Sequence, residues 1–249
     1  MNGNAIHCDG ATTRRGVLRQ GSALAALAAL AGLWPYRPAV AQSSLGSLSA
    51  ADAAAGVRAA LEQGATVAVR VLGQPDGFLG NPQVRIPLPG FLEEGQQVLR
   101  TLGQGRRLDE LSVAINRAAE LAVPMGRDVL IQAVRSMTLD DARQVLTGGE
   151  TSVTDFFSQR TREPLTARFL PLVTQATQSV DLASKYNDVA SRASRYGLVK
   201  PQDANVEQFV TAKTLDGLYR IIGDEERKIR RDPVGSGSQI LQRVFGALR

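Results

Sequence analysis

Leu108-Asp109-Glu110-Leu111-Ser112-Val113-Ala114-Ile115-Asn116-Arg117-Ala118-Ala119-Glu120-Leu121-Ala122-Val123 carries the periodicity that decides the fold. Leu111, Ile115, Ala118, Ala119 and Ala122 recur at three- and four-residue intervals, the spacing of one face of an α-helix. The expected element is a helix over residues 108–123 with that face turned to a core. Asn116 and Glu120 lie one turn apart on the same stretch, and Arg117 is three residues from Glu120, close enough to pair with it. Polar side chains beside Ala118 and Ala119 have two readings. One is a partly buried carboxylate held by arginine at a ligand or catalytic site; the other is a buried ion pair that fixes helix register.

Toward the N-terminus, Val57, Leu61, Ala65, Ala68 and Leu72 give a helix over residues 49–72, with Ser49 as its N-cap and Gly73 as its stop. The turn-rich stretch Gln74-Pro75-Asp76-Gly77-Phe78-Leu79-Gly80-Asn81-Pro82 leads to Val84-Arg85-Ile86-Pro87-Leu88-Pro89. Its two late prolines forbid a helix and disfavour a central strand, so an extended, polyproline-like strip lying across the helices is expected. A short helix over 90–102 follows it.

Toward the C-terminus, Pro124 is placed at the first position of a helix through Val134. Thr138-Leu139-Asp140-Asp141 reads as a capped helix start, and Gly148-Gly149 as that helix's end. Thr151 opens a further helix through Phe156 and Phe157, with Pro164 and Pro171 restarting or bending a long stretch that reaches Tyr196 and stops at Gly197. Asn205-Val206-Glu207-Gln208 resembles a capping box for a helix to about Arg231, closed by Asp232-Pro233. Residues 239–248, with Ile240, Leu241, Val244, Phe245 and Leu248 apolar, make a docked terminal helix. No alternating run is long enough for a sheet. The fold class is all-α: a single globular multi-helix bundle with an extended proline-containing segment. Aromatic residues are only 5% of the chain, so Leu, Val, Ala and Ile must build the core.

The first 41 residues differ in kind. A polar start leads to Thr13-Arg14-Arg15-Gly16-Val17-Leu18-Arg19, then an uncharged run over 21–35, then Pro38-Ala39-Val40-Ala41. Region order is that of a cleavable signal peptide. Paired arginines, a mild Ala- and Gly-rich run and Arg37 before the cut resemble a twin-arginine export signal, a receptor-read address and not an anchor. The expected organisation is a signal over 1–41 cleaved after Ala41, a short linker over 42–48 and one helical domain over 49–249, periplasmic or secreted. The uncharged run is shorter than the ~20 residues a membrane span needs, so no transmembrane segment is expected in the mature protein.

Cleavage would remove His7 and Cys8, the chain's single histidine and single cysteine. That leaves no disulfide, no thiolate or Ser-His-Asp nucleophile and no His or Cys metal site, so no metal and no cofactor is expected. The remaining 208 residues hold 25 basic and 23 acidic side chains, a net charge of +2. A nucleic-acid partner, which needs a clearly basic face, is therefore not expected. Phosphate-loop, dinucleotide-loop, nucleophile-elbow and calcium-loop spacings are all missing. The acid pairs Glu93-Glu94, Asp109-Glu110 and Asp140-Asp141 fall near expected helix starts, where pairing with the helix dipole is the simplest role. In Asp224-Glu225-Glu226-Arg227-Lys228-Ile229-Arg230-Arg231 the acids precede the bases, so Glu226 and Arg230 take the favourable order four residues apart.

Several blocks together resemble a bacterial family of exported proteins known only as domain of unknown function 4197. They are Ile86-Pro87-Leu88-Pro89, Asn116-Arg117-Ala118-Ala119-Glu120, Met137-Thr138-Leu139-Asp140-Asp141-Ala142, Leu215-Asp216-Gly217-Leu218-Tyr219, Glu225 through Pro233, and Val244-Phe245-Gly246. Asp232 stands where asparagine is expected before the proline, and Ile115 where methionine is usual. The resemblance implies an export context and a helical fold, and no reaction.

Two sets of candidate residues emerge. The polar set is Asn116, Arg117, Glu120, Asp216, Glu226 and Arg230; the groove set is Phe78, Ile86 and Leu88 on the extended strip. The leading expectation is a non-enzymatic domain that binds a small apolar or amphipathic ligand, or an envelope protein, between its helices. A strip that caps the core is the plainer reading of the groove set. An enzyme with Glu120 as acid or base and Asn116 and Arg117 orienting substrate is one alternative, and a structural envelope protein is another.

Overall fold

The structure, a computed structural model, describes residues 48–138, 142–195 and 205–248. The signal segment, the glycine stop at 197 and the acidic helix start at 139–141 lie outside these residues, as does all of the expected linker except Leu48. Among the described residues every regular element is helical. Leu48 is buried, and its carbonyl accepts a hydrogen bond from Arg143.

Helix α1, Ala50–Leu72, begins where Ser49 Oγ accepts from the Asp52 amide and ends at Gly73. All five of its periodic apolar residues are buried. Gly56 and Gly64 admit close neighbours: a Cβ at Gly56 would lie 2.6 Å from Val244, and one at Gly64 would lie 3.0 Å from Ile222. The connection then turns through residues 74–84 and runs extended over 85–89, as its prolines require.

The expected single helix over 90–102 is instead broken into α2, Gly90–Glu94, and α3, Gln96–Leu99, followed by a wide π-type turn, Arg100–Gln104. The break falls at Gly95, which closes α2 and precedes α3. Gly103, at φ 77° in a left-handed conformation glycine takes without steric penalty, separates the wide turn from the helix that follows. Directly after it, α4 spans Gly105–Met125, three residues earlier and two later than the periodicity indicated. Its expected inward face is wholly buried. Pro124 does not start the next helix; it sits inside the last turn of α4, and Gly126 separates it from α5, Arg127–Ser136.

Helix α6 is Ala142–Leu146, and α7 runs unbroken from Ser152 to Ser179 with Pro164 and Pro171 inside it. The break in that long stretch comes at Val180-Asp181, where Asp181 has φ 51°, and α8 follows as Leu182–Arg195. Helix α9, Val206–Arg231, starts at Asn205, whose side chain accepts from the Gln208 amide, and ends at Asp232. Helix α10 is Gln239–Gly246. Helix α9 packs most extensively on α1 and α7; α4 lies on α7 and α8; α5, α6 and α10 cover α1. The bundle buries a continuous aliphatic core into which few rings enter, Phe78, Phe157, Phe169 and Phe245 among them.

Candidate functional site

The polar residues of α4 face the 74–89 connection. Asn116 Nδ2 donates to the Ile86 carbonyl at 3.0 Å while its Oδ1 accepts from the Ile86 amide at 2.8 Å. One amide thus pairs with the extended strip as a neighbouring strand would. One turn on, Glu120 Oε1 accepts from the amides of Phe78 and Leu79 at 3.0 and 3.1 Å, and Oε2 takes Arg117 Nη1 at 2.5 Å. The other arm of Arg117 reaches Asp76 at 2.8 Å, on a residue with φ 66°. The Glu120 hydrogen bond, with Asp76 behind it, raises the Arg117 pKa further against the effect of burial.

The second cluster joins three helices. Glu226 Oε1 accepts from the Val153 amide at 3.1 Å, and Oε2 accepts from both the amide and the hydroxyl of Thr154 at 2.8 Å. These are orphan N–H groups of the first turn of α7, which receives no side-chain cap from its own Thr151. Arg230 grips Glu226 Oε1 through Nε and Nη2 at 2.9 and 2.8 Å, and donates to the Leu146 carbonyl at the end of α6 and to Ser152 Oγ. A negative group at the start of α7 also suits the helix dipole.

Asp216 belongs to neither cluster. It is half exposed, 2.8 Å from Arg162 of α7 and 3.7 Å from Lys213. Arg162 lies 5.1 Å above the Tyr219 ring. The Thr161 hydroxyl donates to the Phe157 carbonyl, so the Tyr219 hydroxyl at 3.1 Å must donate to Thr161. Burial pushes the Tyr219 phenol pKa up. The six polar candidates therefore fall into four hydrogen-bonded groups that share no partner: Asn116, Arg117 with Glu120, Glu226 with Arg230, and Asp216. Among the described residues no three His, Cys, Asp or Glu side chains gather to hold a metal ion, and no helix is long and apolar enough to cross a membrane.

Phe78, Ile86 and Leu88 are buried at 0%, 1% and 7% exposure. Their apolar surface is taken up by the core: a Cβ on Gly217 of α9 would lie 2.6 Å from the Phe78 ring. An open apolar surface runs along α4 beside Arg117. A groove of about 450 Å³ runs between α4 and the α7–α8 junction, walled by Val113, Ala114, Val180 and the stems of Arg106, Arg117 and Lys185. A recess of about 270 Å³, walled by Pro75, Leu121 and Glu120, adjoins it through Arg117 and Val180. Val113 and Leu121 are exposed at 43% and 47%. Each charge on the rim has an in-chain partner: Arg106 with Glu110, Asp109 with Arg100, Arg117 with Glu120 and Asp76, Lys185 with Asp181.

Sequence reasoning missed Asp76, Thr154 and Val180. Asp76 and Thr154 meet their partners across about 40 and 70 positions of chain, and no local pattern marks such pairings; Val180 becomes a groove wall only because the chain breaks beside it.

A helical bundle whose connections are pinned by buried carboxylates on facing helices is the structural class these contacts define. The sequence model of the family described as protein of unknown function (DUF4197) matches residues 47–246, and the chain belongs to that family. Comparisons with curated proteins and with solved structures give no match.

Proposed function

We propose that the chain is an exported, non-catalytic binding module that holds a small uncharged apolar ligand in the groove along α4. The observation that carries this reading is the groove itself. Its volume of about 450 Å³ falls within the roughly 300–1,000 Å³ of small-molecule sites, and its walls are aliphatic. Because the rim charges are already neutralised in pairs, an uncharged molecule loses least on entering and a charged one gains no unpaired partner. The non-catalytic part is supported by the commitments of the two buried acids. Glu120 and Glu226 have their oxygens engaged by backbone amides and arginine, which leaves neither poised against a reacting atom. Export is supported by the order of regions in residues 1–41 alone.

The test uses the uncharged dye Nile red with the purified protein and with Val113→Asp/Leu121→Asp. Both positions are exposed, so the double variant is expected to fold with an unchanged melting temperature. Saturable, blue-shifted emission with the wild type and at least tenfold weaker binding with the variant is the expected result. Equal emission from both proteins, or none from the wild type, overturns the groove reading. Native mass spectrometry of protein taken from its own cells then identifies the occupant.

A further inference from the structure

A second recess, of about 290 Å³, opens where the C-terminal end of α5 meets the middle of α7. Ser136, Met137 and Thr138 form one wall, and Arg160, Pro164 and Arg168 form the other. The two arginines stand eight residues apart, about 12 Å along the helix axis, and flank Pro164 from either side.

Their electrostatic situation is the reverse of the α4 groove. Among the described residues neither Arg160 nor Arg168 has an acidic partner: Arg160 lies 5.0 Å over the Phe156 ring, and Arg168 donates only to Gln132 Oε1 at 3.3 Å. Arg162, between them in sequence, is held by Asp216 at 2.8 Å, so an unpaired state is not general on this helix. Arg58 of α1 makes a long 3.5 Å contact with the Met137 carbonyl but does not line the recess.

We propose that this recess binds the phosphate of a small organic phosphate. Guanidinium forks match tetrahedral oxyanions with paired, charge-assisted hydrogen bonds, and two of them around one opening favour a dianion over a carboxylate. Met137, Pro164 and Leu165 give the organic part an apolar wall, and the small volume limits that part to about the size of one ring. Helix α5 presents carbonyls here, not amides, so side chains alone hold the anion. The phosphate can belong to a free metabolite or to a lipid headgroup, and the chemistry at the arginines is the same for both.

The probe is phenyl phosphate, titrated into the purified protein at low and at physiological salt and followed by ³¹P NMR and calorimetry. One-site saturation is expected, at least tenfold weaker in Arg160→Gln/Arg168→Gln. Both arginines are exposed, so a melting temperature equal to wild type certifies the variant's fold. Sedimentation with phosphatidylcholine vesicles containing phosphatidic acid, lost in the same variant, assigns the lipid source; phenyl phosphate binding without sedimentation assigns a free organic phosphate. No saturation, or equal affinity in wild type and variant, overturns the proposal. The site is independent of the α4 groove: Val113→Asp/Leu121→Asp is expected to leave phenyl phosphate binding unchanged, so either site can fail without the other.

Discussion

Glu120 and Glu226 perform the same task at two places. Each is a buried carboxylate on one helix that accepts from two successive backbone amides elsewhere in the chain, and each is gripped by an arginine three or four residues further along or back on its own helix. The two differ in what truncation would expose. Arg230 is itself largely buried, at 15% side-chain exposure, whereas Arg117 is at 33% and keeps Asp76. Removing one partner of a buried pair costs about 3–5 kcal/mol, while leaving amides unsatisfied beside a partly hydrated arginine costs about 1–3 kcal/mol. Glu226→Ala is therefore expected to destabilise more than Glu120→Ala in urea unfolding. A wild-type midpoint for Glu226→Ala would show that this carboxylate does not hold the bundle, and the opposite order would show that partner burial does not set the cost. The pairing of Arg117 with Glu120 and of Arg230 with Glu226 was legible from spacing on a helix. Their amide partners were not, because a backbone N–H carries no side-chain signature.

Among the elements, local signals worked where the physics is local. Ser49 and Asn205 cap α1 and α9 through their own side chains, and such caps satisfy N–H groups two or three residues away whatever the tertiary context. Proline misled for the opposite reason. Pro164 and Pro171 were expected to restart or bend the helix, and α7 does not restart at either. Each ring removes one amide and frees the carbonyl four residues back, on Arg160 and Ala167, and all four residues are on the exposed side of α7. Water can satisfy those carbonyls, so the loss is tolerated. It is still a loss. Pro171→Ala, which touches neither recess nor groove, is expected to stabilise the protein by up to ~3 kcal/mol, the penalty of an interior proline, read as a higher urea midpoint. A lower midpoint would mean that the ring's stiffening of the unfolded chain outweighs the restored hydrogen bond. The true break at Asp181 had no signature at all, since a non-glycine residue at positive φ is set by the packing around it.

At the scale of the whole molecule, α1 and α9 approach through glycine, and the core closes with few rings and no cysteine pair. Nothing in this construction waits for an oxidising compartment: the buried carboxylate clamps and the aliphatic core can form as soon as the chain is complete. That property suits a route that moves folded proteins, the route proposed from Arg14 and Arg15. If it is the route used, Arg14→Lys/Arg15→Lys is expected to leave the folded protein inside the cell with residues 1–41 still attached, while the wild type is recovered from the envelope fraction beginning at Gln42. Fractionation followed by N-terminal mass analysis reads both. A lysine pair exported and cleaved as efficiently as the wild type would move the protein to the general secretory route, which accepts unfolded chains, and the bundle would then have to assemble after crossing. In that case the absence of cysteines after position 41 becomes the informative feature, because the carboxylate clamps alone, without any disulfide, would have to hold the connections in place.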